Sequence, residues 1–285
     1  VTSHIAKKTA NLCQIALIFA SDDYIAIVID APSIGQKQGS KMQPWPYPRI
    51  FSHRLGGSLA PENTLTGLRR AMKIGARAVE CDVKLSADGV LFLLHDDTLE
   101  RTTTGQGPAG ALTMDALRQL DCGVRHHKAY RGEVLPTLAE LAAIAVEHGI
   151  AVNLEIKPNP GQDEETGRKL ALAARELWRG AALQPLLSSF SPAALRAARQ
   201  AVPELPRALL VEDIPLDYLS EMAQCAAAAL HADHRALDQD IVAKLHGQGF
   251  RIMAYTVNET LRARKLLSWG VDMLCSDRPD LLLSL

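Results

Sequence analysis

Short apolar runs recur along the chain at 50–53, 78–82, 91–95, 152–156, 186–189, 207–211, 227–231, 251–255 and 272–275. Runs of that length read as strands, and most are separated by stretches with helical periodicity. The pair 78–82 and 91–95 is instead joined through Ser86-Ala87-Asp88-Gly89, and Asp-Gly between apolar runs signals a hairpin. Treating 91–95 as a hairpin partner leaves eight alternating strands, the count of an α/β (β/α)₈ TIM barrel. The spacing predicts a helix over 64–74 capped by Asn63, with Leu65, Leu68 and Met72 on one face and Gly75 at its stop. Thr137 and Glu140 form a capping-box pattern for a second helix that Gly149 ends. The stretch 97–136 shows one helical pattern, Met114 to Leu120, and is too long for an ordinary connection. It reads as a small insertion after the His95 hairpin strand.

Two of the strands carry charge inside otherwise apolar sequence. Glu80 and Asp82, two apart, share one strand face. Side by side on an inward face they carry a large desolvation cost unless a cation or donors compensate them. Asn153, Glu155 and Lys157 share a face in the same way, with Leu154 and Ile156 on the other. Oxygen-only ligation by Glu80, Asp82 and Glu155 suits Mg²⁺ or Ca²⁺ better than zinc. If Ala87 and Asp88 are the central turn residues, the hairpin sets His95 opposite Glu80 and Leu93 opposite Asp82. His53, Asp82 and Glu155 all fall at or near the C-terminal strand ends, where barrels of this kind carry their chemistry.

Composition bounds this picture without changing it. With 285 residues, 47% of them hydrophobic, the chain can bury one large core. A net charge of −1 gives no global field for nucleic acid or an anionic membrane, so a charged substrate has to be met locally. Five cysteines with no Cys-x-x-Cys spacing read as free thiols in a reducing, cytoplasmic compartment, Cys81 and Cys275 as small buried hydrophobes. Lys7 and Lys8 before the apolar run Leu12 to Ala20 imitate a secretory signal, but Asp22, Asp23 and a second apolar run follow at once. That pattern suits neither cleavage nor a membrane span. Residues 1–41 are therefore expected to lie upstream of a native start at Met42, with no stable membrane anchoring and the barrel over 42–285.

Taken in order, His53-Arg54, Glu62-Asn63, Glu80-Cys81-Asp82 and His95-Asp96 resemble the cytosolic bacterial glycerophosphodiester phosphodiesterase family and, more remotely, phosphatidylinositol-specific phospholipase C. The similarity runs from about Trp45 to the C-terminus through Ala60-Pro61-Glu62-Asn63-Thr64, Leu99-Glu100-Arg101-Thr102-Thr103, Tyr255-Thr256-Val257-Asn258 and Ser276-Asp277-Arg278-Pro279. It implies a (β/α)₈ barrel that uses a divalent cation, Mg²⁺ or Ca²⁺, to hydrolyse a small glycerophosphodiester to sn-glycerol 3-phosphate and an alcohol. On that reading Glu80, Asp82 and Glu155 hold the metal, and His53 and His95 divide the proton transfers. Arg54 and Lys157 bind phosphate. Glu62, Asn63, Asn258 and Asp277 stand behind them, and 97–136 caps the site.

The attacking group, a glycerol 2-hydroxyl or water, stays open at this level, as does which histidine is acid and which base. Leu55 stands where the family usually has Gly, so the loop after His53 is expected to sit differently or to approach substrate differently. Two other functions fit the same chain: a lysophospholipase D acting on lysolipids, and a catalytically silent binding barrel. Pro61 and Asn63 also read simply as helix-starting residues. His231-Ala232-Asp233-His234 lacks a third ligand at defined spacing and reads as strand end and loop. His126, His127, His148 and His246 are likewise set aside.

Overall fold

Strands form where the apolar runs fall. In the computed structural model, which describes residues 45–285, they are β1 Ile50–Ser52, β2 Ala78–Leu85, β3 Leu91–Leu93, β4 Ala151–Ile156, β5 Leu186–Ser189, β6 Arg207–Val211, β7 Ala229–Asp233, β8 Arg251–Tyr255 and β9 Met273–Ser276. The expected extension over 1–41, the start at Met42 and Cys13 lie outside the described residues. Helices between them are α1 Leu65–Lys73, α2 Met114–Leu117, α3 Leu138–Glu147, α4 Asp163–Leu177, α5 Pro192–Ala201, α6 Tyr218–Cys225, α7 Gln239–Gly247, α8 Thr260–Ser268 and α9 Pro279–Leu282. Each strand of the barrel pairs in parallel with its neighbours, and β1 pairs with both β9 and β2, which closes the ring at eight strands. The ninth strand, β3, hangs antiparallel on β2.

Most strand boundaries differ from the apolar runs by a residue or more, and two of the shifts have a plain cause. β2 runs to Leu85 because the hairpin gives Val83, Lys84 and Leu85 antiparallel partners in β3. β7 begins at Ala229 because Ala226, at φ +47°, is spent turning the chain out of α6. The cap of α1 also differs: Thr64 accepts from the Gly67 N–H, while Asn63 stands outside the helix at φ +53°. The capping box of Thr137 and Glu140 starts α3.

The hairpin register is one residue off the expectation. Gly89 N–H donates to Ser86 O and Ser86 N–H to Val90 O, so the loop holds three residues, with Gly89 in the left-handed region at φ +78°. A type I turn followed by a left-handed glycine is the usual three-residue solution. Leu93 therefore pairs with Val83, not Asp82. Continued regularly, residue 95 would fall opposite Cys81 on the outer face, but β3 ends at Leu93 and His95 takes its direction from the irregular chain beyond.

Among the described residues the apolar side chains form three clusters. Alternation on β2 sends Val79, Cys81 and Val83 outward into the layer beneath the helices and leaves Ala78, Glu80 and Asp82 inward. Phe51, Ala78, Ala151, Leu186, Ala208 and Met273 fill the lower barrel interior. Phe92 and Leu94 leave the hairpin to pack with Leu99, Met114, Leu117, Cys122 and Leu135, so the 97–136 segment has its own core.

Candidate active site

The loop after β1 folds back on itself. Arg54 at φ +48° and Leu55 at φ +71° turn the backbone so that Arg54 N–H donates to Glu80 Oε2 at 2.8 Å and Leu55 N–H to Glu80 O at 2.8 Å. Leu55 thus keeps the left-handed conformation that glycine adopts freely, and its side chain is fully buried against the helical layer.

The same loop aims His53 inward. Its Nδ1 lies 2.6 Å from Asp277 Oδ1, just past β9, and Asp277 is held in turn by Asn258 Nδ2 at 3.0 Å. His95 repeats the arrangement with Asp96, its Nδ1 2.7 Å from Oδ1. In each pair the carboxylate engages Nδ1; the Nε2 of His95 is left for the pocket, and that of His53 accepts from Arg54 Nε at 3.3 Å. The two environments diverge. Burial lowers the His53 pKa, but the Asp277 bond and Glu80 outweigh it and hold the imidazole above its ordinary value. Burial, with Lys157 and Arg54, holds His95 below its own despite Asp82.

Glu80, Asp82 and Glu155 are buried side by side because β2 and β4 pair in register, Glu80 beside Asn153 and Asp82 beside Glu155. Each offers an oxygen, and the three oxygens lie within 4.8 Å of one another. Burial first, then the Asp82 charge, pushes Glu80 up to about 8 and Glu155 up to about 7. Burial also works against Asp82, but Lys157, His95, Arg54 and the Asn63 amide together hold its pKa below the usual value. Asn63 does this from its left-handed position, donating Nδ2 to Asp82 Oδ2 at 2.8 Å and accepting the Asp82 N–H at 3.1 Å. Lys157 Nζ sits 2.7 Å from Glu155 Oε1, off hydrogen-bonding angle, and 3.8 Å from Asp82. Glu80 Oε1 is buried with no hydrogen-bond partner among the described residues. A divalent cation answers both the mutual repulsion and this orphaned oxygen, and an all-carboxylate set is the donor chemistry of Mg²⁺ or Ca²⁺. A second grouping, His53, Glu80 and Cys275, also lies within reach of one point. Burial and then Glu80 raise the Cys275 thiol well above its ordinary pKa.

Arg54 donates to Glu62 Oε1 at 2.9 Å and passes 3.8 Å from Asp82. Arg101, from the insertion, makes paired bonds to both Glu62 and Asp96 at 2.5–2.9 Å and so links the two halves of the site. All eleven residues that the sequence pointed to therefore meet at one end of the barrel: His53, Arg54, Glu80, His95, Glu155 and Lys157 line a cavity of about 380 Å³, and the other five are held against them.

With that geometry in place, comparison with known proteins is informative. Residues 53–281 match the model of the glycerophosphoryl diester phosphodiesterase family. The chain belongs to that family. A glycerophosphodiester phosphodiesterase of Caldanaerobacter subterraneus subsp. tengcongensis is 30% identical over 240 residues, covering 83% of this chain and 96% of the relative. An Oleispira antarctica phosphodiesterase solved in complex with the product sn-glycerol-3-phosphate superposes with a TM-score of 0.79 at 35% identity, over 84% of this chain and 96% of that one. The glycerophosphodiester phosphodiesterase of Agrobacterium tumefaciens gives 0.70 at 28%, covering 83% and 99%.

Several groups at this family member's site carry no role in the sequence reading. Asp96 was visible only as the neighbour of His95, and Arg101 only as part of a motif. Their meeting depends on a loop path that no periodicity encodes. Phe190, just past β5, and Tyr255, at the end of β8, stand edge to face on the cavity wall, centroids 6.1 Å apart, with Lys157 Nζ 5.4 Å from the Phe190 ring. His231, set aside as a strand end, sits within β7 and lines the cavity. The shifted strand boundary is what concealed it: the apolar run ends at 231, whereas β7 continues to Asp233 and keeps His231 inside the strand.

Proposed function

We propose that the protein hydrolyses glycerophosphodiesters to sn-glycerol 3-phosphate and an alcohol, with a divalent cation held by Glu80, Asp82 and Glu155. The observation that carries this is the buried three-carboxylate cluster lying between two aspartate-anchored histidines. A bound cation would supply Lewis-acid charge neutralisation at the phosphate and acidify the attacking hydroxyl. The protein's own groups supply the rest. Arg54 and Lys157 face the cavity as fixed positive charges and offset the negative charge that builds on the phosphoryl oxygens. Asp277 and Asp96 fix the tautomers of His53 and His95, whose Nε2 atoms take a proton from the nucleophile and return one to the leaving oxygen. Glu62 keeps Arg54 extended across the site, and Arg101 keeps Glu62 in place.

Product identity in the Oleispira relative supports the glycerol phosphate assignment. The four cysteines among the described residues are free and buried, which supports a reducing, cytoplasmic setting, and no helix among those residues is long and apolar enough to cross a membrane. The 97–136 segment, tied to the site through Arg101, acts as its cap.

Release of sn-glycerol 3-phosphate from glycerophosphocholine, read by a coupled dehydrogenase, tests the reading. Metal-stripped protein should be inactive, Mg²⁺ or Ca²⁺ should restore it, and His53→Ala should abolish turnover by a factor of at least about 10². Full activity in the chelated, metal-free protein would overturn the assignment of Glu80, Asp82 and Glu155.

A further inference from the structure

His231 is the least expected side chain in the barrel. It is fully buried, and neither ring nitrogen has a hydrogen-bond partner among the described residues. Burial pushes its pKa down to about 3, so the ring is neutral under ordinary conditions and offers one donor and one acceptor. On β4, Asn153 Oδ1 is also buried and unpartnered, while its Nδ2 donates to Ser188 Oγ at 2.9 Å. Both residues line the cavity already described. Asn153 lies two residues before Glu155, about 6–7 Å deeper along its strand.

Unmade hydrogen bonds on buried polar atoms cost stability, and a barrel that needs only filling can use apolar residues. It does so on both sides of His231, with Leu210 and Met253 in register on β6 and β8. A group that bridges His231 and Asn153 has to be small, neutral and able both to accept from the His231 N–H and to donate to Asn153 Oδ1. The charged neighbour at that depth is Glu80, in register with Asn153, which repels a phosphate, and an ammonium group can give hydrogen bonds but not accept one, whereas a hydroxyl does both.

We propose that His231 and Asn153 form a subsite for the terminal hydroxyl of the substrate's glycerol unit, the end farthest from phosphorus. This rests on the hydrolase reading above. Phosphate is held at the strand ends by the charged groups, so the three-carbon glycerol unit reaches down into the barrel. The variable alcohol is left facing the open mouth past Phe190 and Glu212. A subsite at the closed end would select for glycerol and tolerate many head groups.

Choline release can be compared for glycerophosphocholine and for its analogue built on propane-1,2-diol, which lacks only the terminal hydroxyl. The wild-type protein should prefer the glycerol substrate in kcat/KM by about tenfold or more, because the analogue leaves buried polar atoms unpaired. In His231→Phe that preference should collapse to within about twofold of unity, and His231→Gln, which keeps a donor and an acceptor, should restore most of it. A merely structural His231 would depress both substrates alike and leave the ratio unchanged, which would overturn the subsite. A wild-type ratio near one overturns it without any variant. No choline release from either substrate by metal-loaded wild-type protein would overturn the hydrolase reading itself, and the subsite with it.

Discussion

Two left-handed residues carry much of the site's precision. Asn63 holds φ +53° and spends both ends of its amide on Asp82. Asn63→Gly keeps the backbone accessible but removes both bonds from a buried carboxylate, which should cost about 1–3 kcal/mol in urea unfolding together with a clear loss of kcat. Leu55 poses the opposite balance. Glycine would relieve about 1–2 kcal/mol of left-handed strain at φ +71°, but removing a fully buried leucine costs about 2–5 kcal/mol, so burial wins. Leu55→Gly should therefore lower the unfolding midpoint, and a higher midpoint would show that the strain dominates.

At the scale of elements, the hairpin and the insertion bring the second histidine to the first. The three-residue loop around Gly89 shifts the register of β3, and the strand's early end turns His95 toward the cavity. Arg101 then fixes the arrangement by binding Asp96, the partner of His95, and Glu62, the partner of Arg54. Arg101 is half exposed, so its ion pairs add little to global stability. Its weight falls on alignment. Arg101→Ala should lower kcat/KM by about tenfold or more while moving the thermal midpoint little, and Arg101→Lys should recover only part, since an ammonium cannot make both paired contacts. Equal activity in Arg101→Ala would separate the insertion from catalysis.

Across the whole molecule, the barrel closes around charges that it leaves poorly solvated. Glu80 is pushed up to about 8 and Glu155 to about 7, both far above the range of an unfolded chain. The folded metal-free protein therefore holds protons that the unfolded chain has already lost. Stability should fall as pH rises from about 4.5 through 8 and level off above it. Thermal midpoints measured with a chelator should follow that slope, whereas added Mg²⁺ or Ca²⁺ should flatten it by taking the protons' place and stabilise most at the alkaline end. Identical slopes with and without metal would argue that these carboxylates do not bind it.

Periodicity alone determined the eight-strand alternation, the hairpin, and the inward parity of Glu80, Asp82 and Glu155, because side chains alternate strictly along a strand whatever surrounds it. The order of charged motifs was enough to nominate both histidines and their charged neighbours. Tertiary structure decided what depends on backbone outside that alternation: the extra loop residue at Gly89, Thr64 as the cap in place of Asn63, and the two residues by which β7 starts late. It also decided every contact made across the barrel mouth, among them Asp277 to His53 across 224 residues and Arg101 to Glu62 across 39. The depth of His231 belongs to this second class. A histidine in an apolar run reads the same at a strand's end or in its middle, and only closure of the barrel shows that both of its nitrogens are left without partners.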